Sequence, residues 1–170
     1  PRHLNFIDDI SSLVPKAKFI HLIRDGADVV ASLYEAINDN PDIWTSLPAN
    51  NLDQLIQRWI DSIHLSQRYA GMANHLIVRY EHLVASPQNV LTQLCKFIGI
   101  PFEPQMLEGF NESAASLILP YETWKQSAPT KIENVSQKKF QRLFDNQQQQ
   151  HIKNQIAHIQ LDDLTSSTPS

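Results

Sequence analysis

Residues Phe19 to Ser32 read FIHLIRDGADVVAS, and this stretch decides the fold. Lys18 to Ile23 form a compact apolar run bounded by Pro15 on one side and Asp25-Gly26 on the other, the pattern of a buried strand in a parallel sheet. Past the turn the period changes, because Val29, Val30, Leu33 and Ile37 share one helical face. The stretch therefore predicts strand, sharp turn and helix. Arg24 leaves the carboxyl end of the strand, and in open α/β sheets that edge is where ligands bind.

Working outward, Leu4, Ile7, Ile10 and Leu13 place an apolar stripe on a short helix ended by Pro15. Asn38 to Asn50 hold two prolines among small polar residues and read as a loop. Asn51 to Gly71 carry Leu52, Leu55, Ile56, Trp59, Ile63 and Leu65 with a helical period, with Gly71 as the stop. A second strand follows at His75 to Tyr80, HLIVRY, and Pro87 opens a helix that closes at Gly99. Two strand-then-helix units joined by a long helix predict an α/β fold, a doubly wound parallel sheet flanked by helices. The remainder is expected to be helical or irregular, with Gln147 to Gln150 on a solvated helix face and residues 165–170 a frayed tail. One domain over residues 1–170 is the expectation for this length.

Composition narrows the function. A formal charge of −4 gives no broad basic field for nucleic acid, though a local basic pocket for a small anion remains open. No stretch approaches the roughly 18 to 20 apolar residues needed to span a bilayer, and no signal-peptide pattern opens the chain, so a cytoplasmic protein with no membrane partner is expected. Cys95 lies in the apolar run VLTQLCKFIGI without a partner cysteine and reads as a core residue. The seven histidines show no metal-binding spacing, so no metal is expected.

Chemistry concentrates at Arg24 and Ser32. Asp25 can cap the second helix and Asp28 suits its first turn, while Ser32 faces the strand end from about two turns in. There its hydroxyl and the Arg24 guanidinium can converge on one phosphate, for which a planar guanidinium offers two parallel hydrogen bonds. The plainer alternative is that Arg24 pairs with Asp28 or Asp25 and Ser32 satisfies a backbone carbonyl. Spacing alone leaves both open.

The run PKAKFIHLIRDGADVVASL resembles the 3'-phosphate-binding segment of sulfotransferases, with Arg24 and Ser32 at the positions that grip the 3'-phosphate of the nucleotide. Many members have proline where this chain has Gly26, and the RDG form resembles the tyrosylprotein and bacterial branches. A second segment, IVRYEHLVASPQNVLTQLCKFIGIPFEP, is similar to the strand-YE-helix segment of that family, which puts Tyr80 beside the nucleotide. Without the resemblance, Tyr80 reads as a strand-end residue tying two loops together. PTKIENV resembles the stretch that reaches back over the nucleotide in the tyrosylprotein-like branch, with Lys131 as the match and Lys138 and Lys139 as rivals. Trp59 falls on an apolar helix face and reads as core, whereas Trp44 and Trp124 are candidates for an acceptor pocket.

The resemblance implies a P-loop-like fold and a sulfotransferase that moves a sulfuryl group from 3'-phosphoadenosine 5'-phosphosulfate, its co-substrate, to an acceptor hydroxyl. It starts past the Gly/Ser/Thr-rich loop that holds the 5'-phosphosulfate, so the N-terminal strand and loop, the general base and the lysine acting on the bridging oxygen are expected upstream of Pro1. Residues of this chain would then anchor the 3'-phosphate end, and its catalytic residues stay unassigned. The competing reading is a noncatalytic nucleotide-binding or interaction module on the same fold.

Overall fold

The computed structural model describes residues 2–40, 51–108 and 137–164. Expectations for Trp44, Trp124, Lys131 and the tail at 165–170 fall outside these residues. The chain forms two compact units, one made of residues 1–80 with 136–170 and the other of residues 81–135.

In chain order, a short 3-10 turn (Arg2–Phe6) leads to α1 (Ile7–Leu13), β1 (Phe19–Ile23), α2 (Gly26–Asp39), α3 (Leu52–Gln67) and β2 (His75–Arg79). Then come α4 (Tyr80–Ala85), α5 (Pro87–Ile98), a 3-10 turn (Pro104–Leu107), α6 (Gln137–Leu143) and α7 (Asn146–Ile156). β1 and β2 run parallel, with Phe19 opposite His75 and Ile23 opposite Arg79. Parallel strands need a long crossover, and here it contains α2 and α3. This is the α/β class with a parallel sheet flanked by helices.

The core of the first unit gathers Ile23 and Ile77 from the sheet, Val30 and Ile37 from α2, and Leu55, Trp59 and Ile63 from α3. Phe140 of α6, Ile152 of α7 and Phe144 between these two helices join the same cluster. Glu35 of α2 is bound by Lys139 at 2.6 Å and Arg142 at 2.5 Å, so α6 is tied to α2 by charge, and Tyr34 of α2 meets Phe144, just past α6, edge to face. The Lys139 hydrogen bond is the chief reason that the Glu35 carboxyl lies below its ordinary range. Lys139 is thus engaged with Glu35. The glutamine run opens α7 behind Asp145, whose side chain accepts from the Gln148 amide in a capping box.

Three local readings change. α3 stops at Gln67, and Gly71 sits beyond it in a turn at φ 79°, because the last apolar periodic position is already passed. Tyr80 opens α4 instead of ending the strand, a six-residue helix too short to show a period. The third change concerns β1, which is buried on one face only. His21 is 4% exposed, whereas the flanking Ile20 and Leu22 are 45% and 58% exposed. Pairing with β2 turns His21 towards His75 and Ser66, and that partnership outweighs the hydropathy of its neighbours.

The resulting polar cluster is ordered. Ser66 donates to the Ser62 carbonyl at 3.0 Å, leaving its oxygen to accept from His21 Nδ1 at 3.2 Å. His21 Nε2 then accepts from His75 Nδ1 at 2.9 Å. In this chain His21 is the neutral Nδ1–H tautomer, one ring nitrogen donating and the other accepting. His75 lies between Phe19 and Tyr69, stacked on each at 4.7 and 4.6 Å, and the Tyr69 hydroxyl donates to Asp8 at 3.0 Å. Burial first, and the neighbouring His75 second, push the His21 pKa down to about 4. Burial likewise lowers His75, with Asp8 opposing.

In the second unit, Pro87 stands at the start of α5 and Gly99 caps its end at φ 93° and ψ 33°. Cys95 is buried, with its sulfur 3.6 Å from that of Met106. A side chain at position 99 would meet the left-handed backbone penalty, so Gly99→Ala is expected to destabilise the protein by about 1–2 kcal/mol. Urea denaturation of the two proteins measures it. Among the described residues, no helix is long and apolar enough to cross a membrane, and no group of three or more His, Cys, Asp or Glu could hold a metal ion.

Candidate functional site

Arg24 stands where β1 has ended and α2 has not begun. The first helical bond runs from the Val29 amide to the Asp25 carbonyl, and the Asp25 carboxylate accepts from the Asp28 amide at 3.1 Å. Asp25 is therefore the N-cap expected from its type and place. A rigid strand on one side and a capped helix on the other hold the turn, so the Arg24 side chain projects from a defined backbone.

Among the described residues its guanidinium makes two contacts. Nη2 lies 3.2 Å from the Asp28 carboxylate, one helical turn on, and the guanidinium carbon sits 4.3 Å from the centre of the Tyr80 ring. Asp28 is itself only 6% exposed, so this ion pair works in a partly desolvated setting. The plainer sequence reading, Arg24 paired with Asp28, is thus present in the structure. It does not use up the side chain. Arginine has five N–H donors, and Arg24 Nε is buried without a hydrogen-bond partner. A buried, unpartnered donor on a cation is costly unless an acceptor arrives, and an anion is the acceptor that suits a guanidinium.

Tyr80 is brought to Arg24 by the register, since Ile23 pairs with Arg79 and the next residue of each strand emerges at the same sheet end. The guanidinium lies over the ring in a cation–π contact, which helps to hold the arginine head beside Tyr80. Ser32 is half-buried on α2, one turn beyond Asp28 and on the same strip of helix. The cavity beside Arg24, about 310 Å³, is lined by Val29, Leu33, Leu55, Arg58 and Trp59 among others, and Ser32 does not line it. The structure therefore joins Arg24 with Tyr80 and sets Ser32 on the strip that Asp28 begins.

Two features escape the sequence reading. Arg58 of α3 borders the same cavity as Arg24, a second cation that no motif marks. Trp59 is core, as its helical face implies, yet its indole N–H also donates to the Arg24 carbonyl at 3.0 Å. The only sequence signal for either is their place on the long helix that follows the strand-turn-helix unit.

With the geometry in hand, similarity to known proteins identifies the architecture. The sulfotransferase of the curacin biosynthetic pathway, described as "Sulfotransferase Domain from the Curacin Biosynthetic Pathway", superposes with a TM-score of 0.60 at 24% identity, covering 92% of this chain and 59% of that one. At that identity the likeness speaks for the fold. Protein-tyrosine sulfotransferase of Drosophila melanogaster is 29% identical over 101 residues, and protein-tyrosine sulfotransferase A of Caenorhabditis elegans is 30% identical over 101 residues. Each match takes in 58% of this chain, which spans 19% of the fly protein and 26% of the worm protein. A profile described as "Sulfotransferase family" matches residues 1–104, a span that contains both strands, Arg24, Ser32 and Tyr80. Since that match covers well over half of its residues, the chain belongs to the sulfotransferase family.

Proposed function

We propose that this chain carries the 3'-phosphate end of a binding site for 3'-phosphoadenosine 5'-phosphosulfate, in an enzyme that transfers the sulfuryl group to an acceptor hydroxyl. The observation that carries the reading is the Arg24 guanidinium: strand-end, stacked on Tyr80, and with a buried Nε that has no partner. Nε is the donor left open, and Nη2, which shares the side edge of the fork with it, also carries the bond to Asp28. A phosphate dianion accepting from that edge satisfies the buried donor, and Ser32 supplies a hydroxyl from the same helix strip. Lys131 joins the proposal on resemblance alone. Transfer itself needs no covalent intermediate on these residues, whose part is to fix the donor in place.

The acceptor class rests on the curated relatives, whose names specify protein tyrosine, a phenolic hydroxyl. Calorimetric titration with 3'-phosphoadenosine 5'-phosphate and with adenosine 5'-phosphate tests the phosphate site. The bisphosphate is expected to bind more tightly, and Ser32→Ala to weaken it about five- to tenfold while leaving the monophosphate unaffected. Equal affinity for the two nucleotides in the unaltered chain overturns the reading.

A further inference from the structure

We infer that Trp59 is a positioning residue for the phosphate site, acting through the backbone of Arg24; the inference rests on the reading just proposed. Every buried carbonyl needs a partner, and the Arg24 carbonyl lies outside α2, whose first bond is taken by Asp25. The Trp59 indole N–H meets it at 3.0 Å from a helix 35 residues away in sequence. Trp59 is only 6% exposed, so water has limited access to this partly buried bond, and its loss would leave the Arg24 carbonyl without its indole donor.

The same indole also closes over the turn from the side. A methyl group built on Gly26 would lie 3.1 Å from Trp59 Cδ2 and Cε2 and 3.1 Å from the Ile156 side chain. Such distances are tighter than ordinary contact, so the bare glycine is what lets the ring lie against the turn. Gly26 is buried between α3 and α7 for that reason. The turn is held at its carbonyl by Trp59, and the guanidinium at its far end by Tyr80 and Asp28. With both ends constrained, little conformational freedom is left to lose when an anion binds, which is how preorganisation raises affinity. Trp59 touches no nucleotide in this account; it sets where Arg24 points.

The test replaces Trp59 with benzothienylalanine, in which sulfur takes the place of the indole N–H at nearly unchanged shape, with Trp59→Phe as a second variant. Each is titrated with 3'-phosphoadenosine 5'-phosphate and with adenosine 5'-phosphate beside the unaltered chain and Arg24→Ala. Loss of the N–H is expected to weaken the bisphosphate about five- to tenfold and to leave the monophosphate within about twofold. A purely structural role would weaken both nucleotides alike or neither. Parallel losses, or an unchanged ratio in the isosteric variant while Arg24→Ala abolishes the preference, overturn the inference and spare the phosphate site. A failure of the unaltered chain and Arg24→Ala to differ sinks the site itself and the inference with it.

Discussion

Arg24→Ala is expected to weaken 3'-phosphoadenosine 5'-phosphate binding by about 100-fold or more, the loss of two charge-assisted hydrogen bonds of roughly 1.5–3 kcal/mol each. The side edge of the fork, with its buried Nε, supplies those bonds, and the Tyr80 ring lies against the guanidinium. Removing the cation also leaves the Asp28 carboxylate, 6% exposed, on the same helix strip as the arriving phosphate. Repulsion between two anions then adds to the loss. Arg24→Lys separates the two effects, because it keeps the charge and discards the fork and the stack. An intermediate loss of about tenfold is expected for lysine. Adenosine 5'-phosphate titrated against each variant reports whether the effect is confined to the 3' position. An Arg24→Ala chain that still prefers the bisphosphate would show that the phosphate is held elsewhere.

Acid is expected to destabilise the protein by about 2–3 kcal/mol between pH 7 and pH 4.5 through His21 alone. The direction follows from its folded pKa of about 4 against an ordinary 6.5. Between those values the unfolded chain takes up a proton that the native state refuses. Stability is therefore full above about pH 6.5, falls as the pH drops towards 4, and levels off below it. The native chain of donors explains the refusal. His21 Nε2 accepts from His75, so a proton there forces His75 to change tautomer and puts a charge among Phe19, Tyr69 and Ser66. Among the described residues Asp8 is the carboxylate joined to the cluster, hydrogen-bonded to Tyr69 and raising His75 through charge alone. Carboxylates such as Glu35, lowered by Lys139, lose stabilisation over part of the same range, so the measurement is a difference. Urea midpoints for the unaltered protein and His21→Gln, whose amide both donates and accepts without titrating, should converge as the pH falls from 7 to 4.5. Parallel curves would remove His21 from the acid response.

Strand, turn and helix at Phe19 to Ser32 are legible because their cues are local. A run of apolar residues, an Asp-Gly turn and a 3.6-residue period each act over a few positions, and the structure has β1, the Asp25 cap and α2 where those cues lie. Gly99 and Asp145 are legible on the same ground, one as a left-handed helix end and the other as a capping residue. Tyr80 is legible only in part. Its place at the sheet end follows from the strand, but its face on Arg24 depends on the register between two strands whose paired residues lie 56 positions apart. The ion pair with Asp28 is a local four-residue step, and both it and a phosphate role remain compatible with the spacing.

What the amino-acid order determines by itself is the string of elements and the residue that stands at the end of each, because propensity, caps and periodicity are short-range. The inward turn of His21 against two exposed aliphatic neighbours, the indole of Trp59 on the Arg24 carbonyl and the stacking of Tyr80 on its guanidinium were decided only in three dimensions. Each of these joins segments dozens of residues apart, and a partner supplied from that distance leaves no mark on the hydropathy or spacing around either residue. Local sequence sets which groups are offered; packing settles which of them meet.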